Sequence, residues 1–245
     1  MAQLMVDSWS PITRILAHGE TLGEFVARTL RPNIWGRYLP GGQAPGLTTA
    51  EIAAAHALCI SVTPIYSPSH LAEGIRGGRI DALAAAAAAG RLAMGCCTVW
   101  ADVESGTPLD PAWVKSWTGV FRAHPQFFAG IYCSAMQPPV AAALRTAGEA
   151  VAVWVAAWEA QGARDMTIAR PQALPTIDVR PATVAAWQYA GDAMGGLLDL
   201  SIASDPSGMI AEPARETPHA ALASKLLGLA ADAADIADEL RVLAN

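Results

Sequence analysis

Short apolar runs alternate with stretches of helical period along most of the chain, which is how a parallel β/α fold reads. Strands are expected at 4–7, 33–38, 58–66, 96–102, 127–133, 151–157, 184–189 and 197–200. Helices are expected at 21–30, from Thr48 or Thr49 to about 57, at 80–91, after Asp110, and at 138–147. Thr21 and Glu24 are spaced as a capping box. Asp110 precedes Pro111, a favoured first helical residue. The strands are apolar on both faces, as in a parallel sheet covered by helices. Residues 161–180 are irregular, and helices thin out near the last strands. The pattern predicts a TIM-like (β/α) barrel over 1–204. An open doubly wound sheet is the alternative, but no Gly-x-Gly-x-x-Gly turn follows the first strand, which weakens a dinucleotide fold.

The rhythm changes after Ser201. Residues 205–217 read as a linker, with Pro206, Gly208 and Pro213 as breakers. Pro218 then opens an expected C-terminal helix over 218–245. Its apolar positions are Leu222, Leu226, Leu229, Ala233, Ile236, Leu240 and Leu243, a coiled-coil seam over three heptads. Such a helix either packs back on the barrel or serves self-association or docking onto a particle.

Composition narrows the partners. Hydrophobic residues make up 53% of the 245 and charged residues 16%, so a large core can be buried. The net charge of −6 gives no attraction to a phosphate backbone, and no nucleic-acid partner is expected. The longest apolar candidate, 82–89, is too short for a membrane span. The N-terminus lacks the basic and apolar regions of a signal peptide. The expectation is a cytoplasmic protein released by lysis, or one carried in a phage or injection particle. Cys59, Cys96, Cys97 and Cys133 form no C-x-x-C pair, lie in apolar runs, and are expected as buried free thiols. His18, His56, His70, His124 and His219 are scattered without metal-ligand spacing, so no metal or other cofactor is expected.

Chemistry concentrates at strand ends. Asp102 and Glu104 follow the fourth apolar run and lie two apart, so a continuing strand points both to one face. In β/α barrels the C-terminal strand ends carry the active site. Two carboxylates sharing one space repel, so one tends to keep its proton. A proton donor beside a carboxylate is what glycosidic cleavage needs. Trp100 shares their face and suits the apolar side of a sugar. Asp7 ends the first strand and Asp199 lies in the last, adding two acids to a candidate cleft. Tyr38, Tyr66, Tyr132, Trp154, Trp158, Trp187 and Tyr189 also lie near strand ends, where they either pack the core or line a carbohydrate groove. A barrel enzyme of phosphate-ester or lactone chemistry would want a glycine-rich loop or metal ligands after the late strands, and neither is evident.

These residues resemble the family 25 glycoside hydrolases, the lysozymes of bacteria and phages, over about 4–201. They resemble still more a related group of bacterial glycoside-hydrolase-like domains. That group is matched by Trp35-Gly36-Arg37-Tyr38-Leu39, Leu47-Thr48 with Glu51, and Val62-Thr63-Pro64-Ile65-Tyr66. Both groups are matched by Gly130-Ile131-Tyr132, Trp154-Val155-Ala156-Ala157-Trp158 and Trp187-Gln188-Tyr189. The resemblance implies Glu104 as general acid. It implies Asp102 as the carboxylate assisting at the anomeric carbon, directly or by orienting the substrate's N-acetyl group. Asp7 and Asp199 match the further acids of the cleft. The implied reaction is hydrolysis of the β-1,4 bond between N-acetylmuramic acid and N-acetylglucosamine in peptidoglycan, without a cofactor. The chain departs from the pattern at Ser201, where Asn or Asp is frequent, and at Trp158, where Tyr is usual. The segment Asp7-Ser8-Trp9-Ser10 fits loosely. The competing expectation is a carbohydrate-binding or structural module of a phage tail or contractile injection particle.

Overall fold

A computed structural model describes residues 2–41, 45–68, 72–103, 108–124, 126–160 and 170–204, except for the side chains of 158–160. Glu104, the linker 205–217 and the segment 218–245 lie outside the described residues, as does the side chain of Trp158.

Eight strands close into one barrel in sequence order. They are β1 (Gln3–Ser8), β2 (Ile34–Tyr38), β3 (Ser61–Tyr66), β4 (Cys97–Val103), β5 (Phe127–Cys133), β6 (Ala152–Ala160), β7 (Thr183–Asp192) and β8 (Leu198–Ala203). Between them lie α1 (Leu22–Thr29), α2 (Thr49–Ala57), α3 (Gly74–Arg91), α4 (Pro111–Arg122), α5 (Pro138–Ala147) and a short turn, α6 (Ala193–Gly196). The TIM-like barrel expected from the alternation is therefore present, with one change of direction. Strands β1 to β7 pair parallel, but β8 runs antiparallel to both β7 and β1. A parallel return needs a crossover of a dozen or more residues. Only 193–197 separate β7 from β8, and Asp192, Met194, Gly195 and Gly196 turn the chain there with positive φ.

Local signals explain the helix starts. Capping boxes at Thr21 with Glu24 and at Thr48 with Glu51 open α1 and α2. The Asp110 carboxylate accepts from Ala112 N (2.8 Å) and from Gly74 N (2.7 Å), so one side chain ties together the starts of α3 and α4. Helix α3 begins at Gly74, within the stretch 68–78 expected as loop and helix start, and runs through the alanine-rich 80–91. Gly78 is required because the helix packs closely on α4 there. A Cβ at Gly78 would stand 2.4 Å from the Trp113 carbonyl oxygen. The Trp113 indole N–H, in turn, donates to the buried Asp81 at 3.0 Å.

The alternation of strand side chains divides the apolar residues into two cores. The larger lies between strands and helices and includes Val6, Trp35, Val62, Val99, Ile131 and Val153. The smaller fills the barrel interior with Met5, Ile34, Ile65, Trp100 and Trp154. Glycines face the tryptophans inside. A Cβ at Gly130 would lie 2.5 Å from the Trp100 ring, and one at Gly36 would lie 2.9 Å from both Trp154 and Asp7 Cβ. Adding a methyl group at such a packed site costs about 1–3 kcal/mol. The cysteines need correction. All four are free, but Cys59 and Cys96 are exposed, while Cys97 and Cys133 are buried. Cys59 lies in the turn after α2 and Cys96 just before β4, each outside the strand that its apolar neighbours suggested. Burial pushes the Cys133 thiol up to about 12 and raises that of Cys97 as well.

Candidate active site

The strand register brings the distant acids together. Asp7 stands directly opposite Asp199 in the antiparallel β1–β8 ladder. Gln188 of β7, fully buried, points inward beside them. Its side-chain N–H donors reach Asp7 Oδ1 (3.3 Å), Asp7 Oδ2 (3.2 Å) and Asp199 Oδ2 (3.2 Å). Its Oε1 accepts from the Tyr132 hydroxyl at 2.8 Å. That contact orients the amide, because a hydroxyl can donate to the oxygen while two carboxylates need the nitrogen. Asp199 Oδ1 accepts from Asp192 N at 2.7 Å, so the β7–β8 turn holds the same carboxylate from its other side.

The third acid, Asp102, is inward-facing on β4 and half-buried. The Tyr38 hydroxyl reaches from β2 past β3 and donates to Asp102 Oδ2 at 3.1 Å. Asp102 is in register with Tyr132 on β5. Tyr132 therefore stands between the two acidic groups, beside Asp102 in the ladder and hydrogen-bonded to Gln188.

Beneath them Trp100 and Trp154 form a floor, with ring centroids 5.7 Å apart at 81°. Tyr132 meets Trp154 edge-on at 5.0 Å and 69°. Both indoles are fully buried and both N–H groups are satisfied, Trp100 by Thr63 Oγ1 (2.9 Å) and Trp154 by Ser201 Oγ (3.2 Å). Ser201, where the family resemblance favours Asn or Asp, thus serves the floor.

The aromatic candidates divide by strand face. Tyr38 and Tyr132 stand at the mouth, and Trp100 and Trp154 lie under it. Tyr66, Trp187 and Tyr189 belong to the outer core instead. Tyr66 stacks on Trp117 of α4 at 6.2 Å. Trp187 donates its indole N–H to the Ala157 carbonyl at 2.8 Å. Their strands turn these rings toward the helices and away from the acids. In Trp187-Gln188-Tyr189 it is the middle residue that reaches the site, and alternation alone would have separated it from its neighbours. Arg37 and Glu51, which carry the resemblance without an assigned role, form a buried pair at 3.0 Å.

No protein-family model matches the chain, and no curated protein matches it in sequence. Solved structures do match. An uncharacterised B. stearothermophilus protein is 25% identical with a TM-score of 0.69, covering 82% of this chain and 96% of its own. The catalytic domain of the endolysin ply40, from bacteriophage P40 of Listeria monocytogenes, is 12% identical with a TM-score of 0.52, covering 84% and 94%. A family 25 lysozyme from Aspergillus fumigatus is 13% identical with a TM-score of 0.51, covering 84% and 96%. Likeness at these identities concerns the backbone, and the barrel of this chain has the fold of the family 25 lysozymes.

Proposed function

We propose that this chain is a glycoside hydrolase of lysozyme type, acting on the β-1,4 bond between N-acetylmuramic acid and N-acetylglucosamine in peptidoglycan. One observation carries the reading: Asp7, Asp102 and Asp199 converge on one barrel mouth, and Glu104 follows Asp102 by two residues in the chain. The lysozymes that share the fold support it.

In this reading Glu104 gives its proton to the glycosidic oxygen as the bond to the anomeric carbon breaks. Positive charge developing at that carbon is met by the Asp102 carboxylate, or by the N-acetyl carbonyl oxygen that Asp102 orients. Water then adds at the anomeric carbon and returns a proton to Glu104. The products are one new reducing end and one freed hydroxyl. Asp7 and Asp199, held by Gln188, complete an acidic cleft, and Tyr38 aims the Asp102 carboxylate.

Purified protein incubated with peptidoglycan should release new reducing ends. Glu104→Gln should lower the rate about 10²- to 10⁴-fold, the usual contribution of a positioned acid. No release by wild type, or equal release by the variant, overturns the proposal.

A further inference from the structure

Among the described tryptophan side chains, six are 0–8% exposed, whereas Trp9 is 51% exposed. It follows the end of β1 by one residue, two beyond Asp7, at the mouth of the barrel. Its ring lies 5.4 Å from that of Tyr38, tilted by 45°. Tyr38 is the residue whose hydroxyl donates to Asp102. An exposed indole therefore stands one ring away from the acid expected to face the anomeric carbon.

The backbone under this indole is held from inside the protein. The Arg37 guanidinium donates to the carbonyl oxygens of Ser8 (2.7 Å), Trp9 (3.1 Å) and Pro45 (3.0 Å). Its partner Glu51 accepts from Ile12 N at 3.0 Å, on the far side of the same loop. Glu51 also caps α2 with its other oxygen. Burying an ion pair is expensive unless its remaining donors and acceptors are satisfied. Here they are satisfied largely by the loop that carries Trp9. Ser8 adds a further tie, accepting from the Trp35 indole at 2.9 Å and donating to the Ser10 carbonyl at 2.8 Å. An apolar ring left in water on so fixed a backbone is pre-organised for a ligand with an apolar face.

We infer that Trp9 is a binding platform for a pyranose ring of the glycan, next to the bond to be cleaved, and that the Arg37–Glu51 pair fixes its position. The inference rests on the lysozyme reading and names a contact within it. The ring and N-acetyl methyl of an amino sugar supply the apolar face, and the indole supplies the flat partner.

The test uses the full chain and a soluble β-1,4-linked N-acetylglucosamine pentasaccharide for binding, with peptidoglycan for turnover. Acrylamide should quench a fraction of the native tryptophan emission that Trp9→Phe removes, and the pentasaccharide should protect that fraction. Trp9→Ala should raise Kd and KM roughly three- to tenfold, the range of an ordinary aromatic contact, with kcat changed less than about twofold. Trp9→Tyr should recover most of the loss. An unchanged thermal midpoint in Trp9→Ala excludes unfolding as the cause. If wild type binds and cleaves glycan but Trp9→Ala does so with the same Kd and KM, the platform is wrong and the lysozyme reading stands. If wild type neither binds nor cleaves, the lysozyme reading fails and takes the platform with it.

Discussion

The two acidic groups at the barrel mouth are built differently. Asp7 and Asp199 face each other across an antiparallel ladder, share the amide of a fully buried glutamine, and are braced by a tyrosine and a turn N–H. Asp102 is half-buried, as is Asp199, takes its tyrosine from β2 two strands away, and lies one ring from the exposed Trp9. The first group is knitted into the seam that closes the barrel, so its hydrogen bonds serve stability as well as placement. The second is a single carboxylate on β4, held by a tyrosine from β2. Acids brought to one mouth thus need not act alike. In the proposed reading one side keeps the cleft in shape and the other meets the sugar.

Substitutions can break this contrast. The largest effect is expected on the Asp102 side. Asp102→Asn should lower peptidoglycan hydrolysis about 10²- to 10⁴-fold while leaving the thermal midpoint within a few degrees. Gln188→Leu should act in the opposite proportion. It strips the bridging donors from two carboxylates, at a cost of about 1–3 kcal/mol. For a chain of this size each kcal/mol lowers the midpoint by roughly 2–4 °C. Calorimetry checks this, and equal midpoints for Gln188→Leu and wild type would refute the division of labour. Tyr38→Phe should be milder, removing one hydrogen bond worth about 0.5–1.5 kcal/mol. Its expected signature is a fall in kcat of no more than about tenfold with little loss of stability. A Tyr38→Phe protein as unstable as Gln188→Leu would mean that the two sides are built alike.

The smallest effect is a reactivity. Cys59 and Cys96 are exposed, whereas Cys97 and Cys133 are buried with raised thiol values. A thiol-titrating reagent at neutral pH should therefore find two groups in the native protein and four after denaturation. Gln188→Leu should speed the slow pair and Tyr38→Phe should leave them unchanged, since only the first loosens the closing seam.

Much of this arrangement is legible in the sequence. Apolar runs and helical periods mark the barrel, and the capping boxes and Asp110-Pro111 mark helix starts, because those signals act within a few residues. Asp7 and Asp102 are legible because a carboxylate at the end of an apolar run is conspicuous. Asp199, by contrast, lies at the start of β8 and reaches the mouth only because that strand is reversed. What escapes depends on long-range geometry. Strand face decides whether Tyr66, Trp187 and Tyr189 meet the acids or the helices, and aromatic residues suit either side. Gln188 looks like spacing between two aromatics until the barrel closes. Arg37 is a motif residue without a stated role until Glu51 packs against it. The reversal of β8 follows from a short connection that also ends in an apolar run, so the strand is visible while its direction is not.

That reversal has a mechanical consequence. Because β8 runs back down the barrel, Ala203 pairs with Gln3 at the end opposite the acids. The first and last strands thus present their outer ends side by side on the face turned away from the mouth. A load or an anchor applied at residues 3 and 203 would pull on neighbouring strands of one ladder and leave the cleft facing outward. The barrel can be hung by its base, with the end that carries the acids turned away from the anchor.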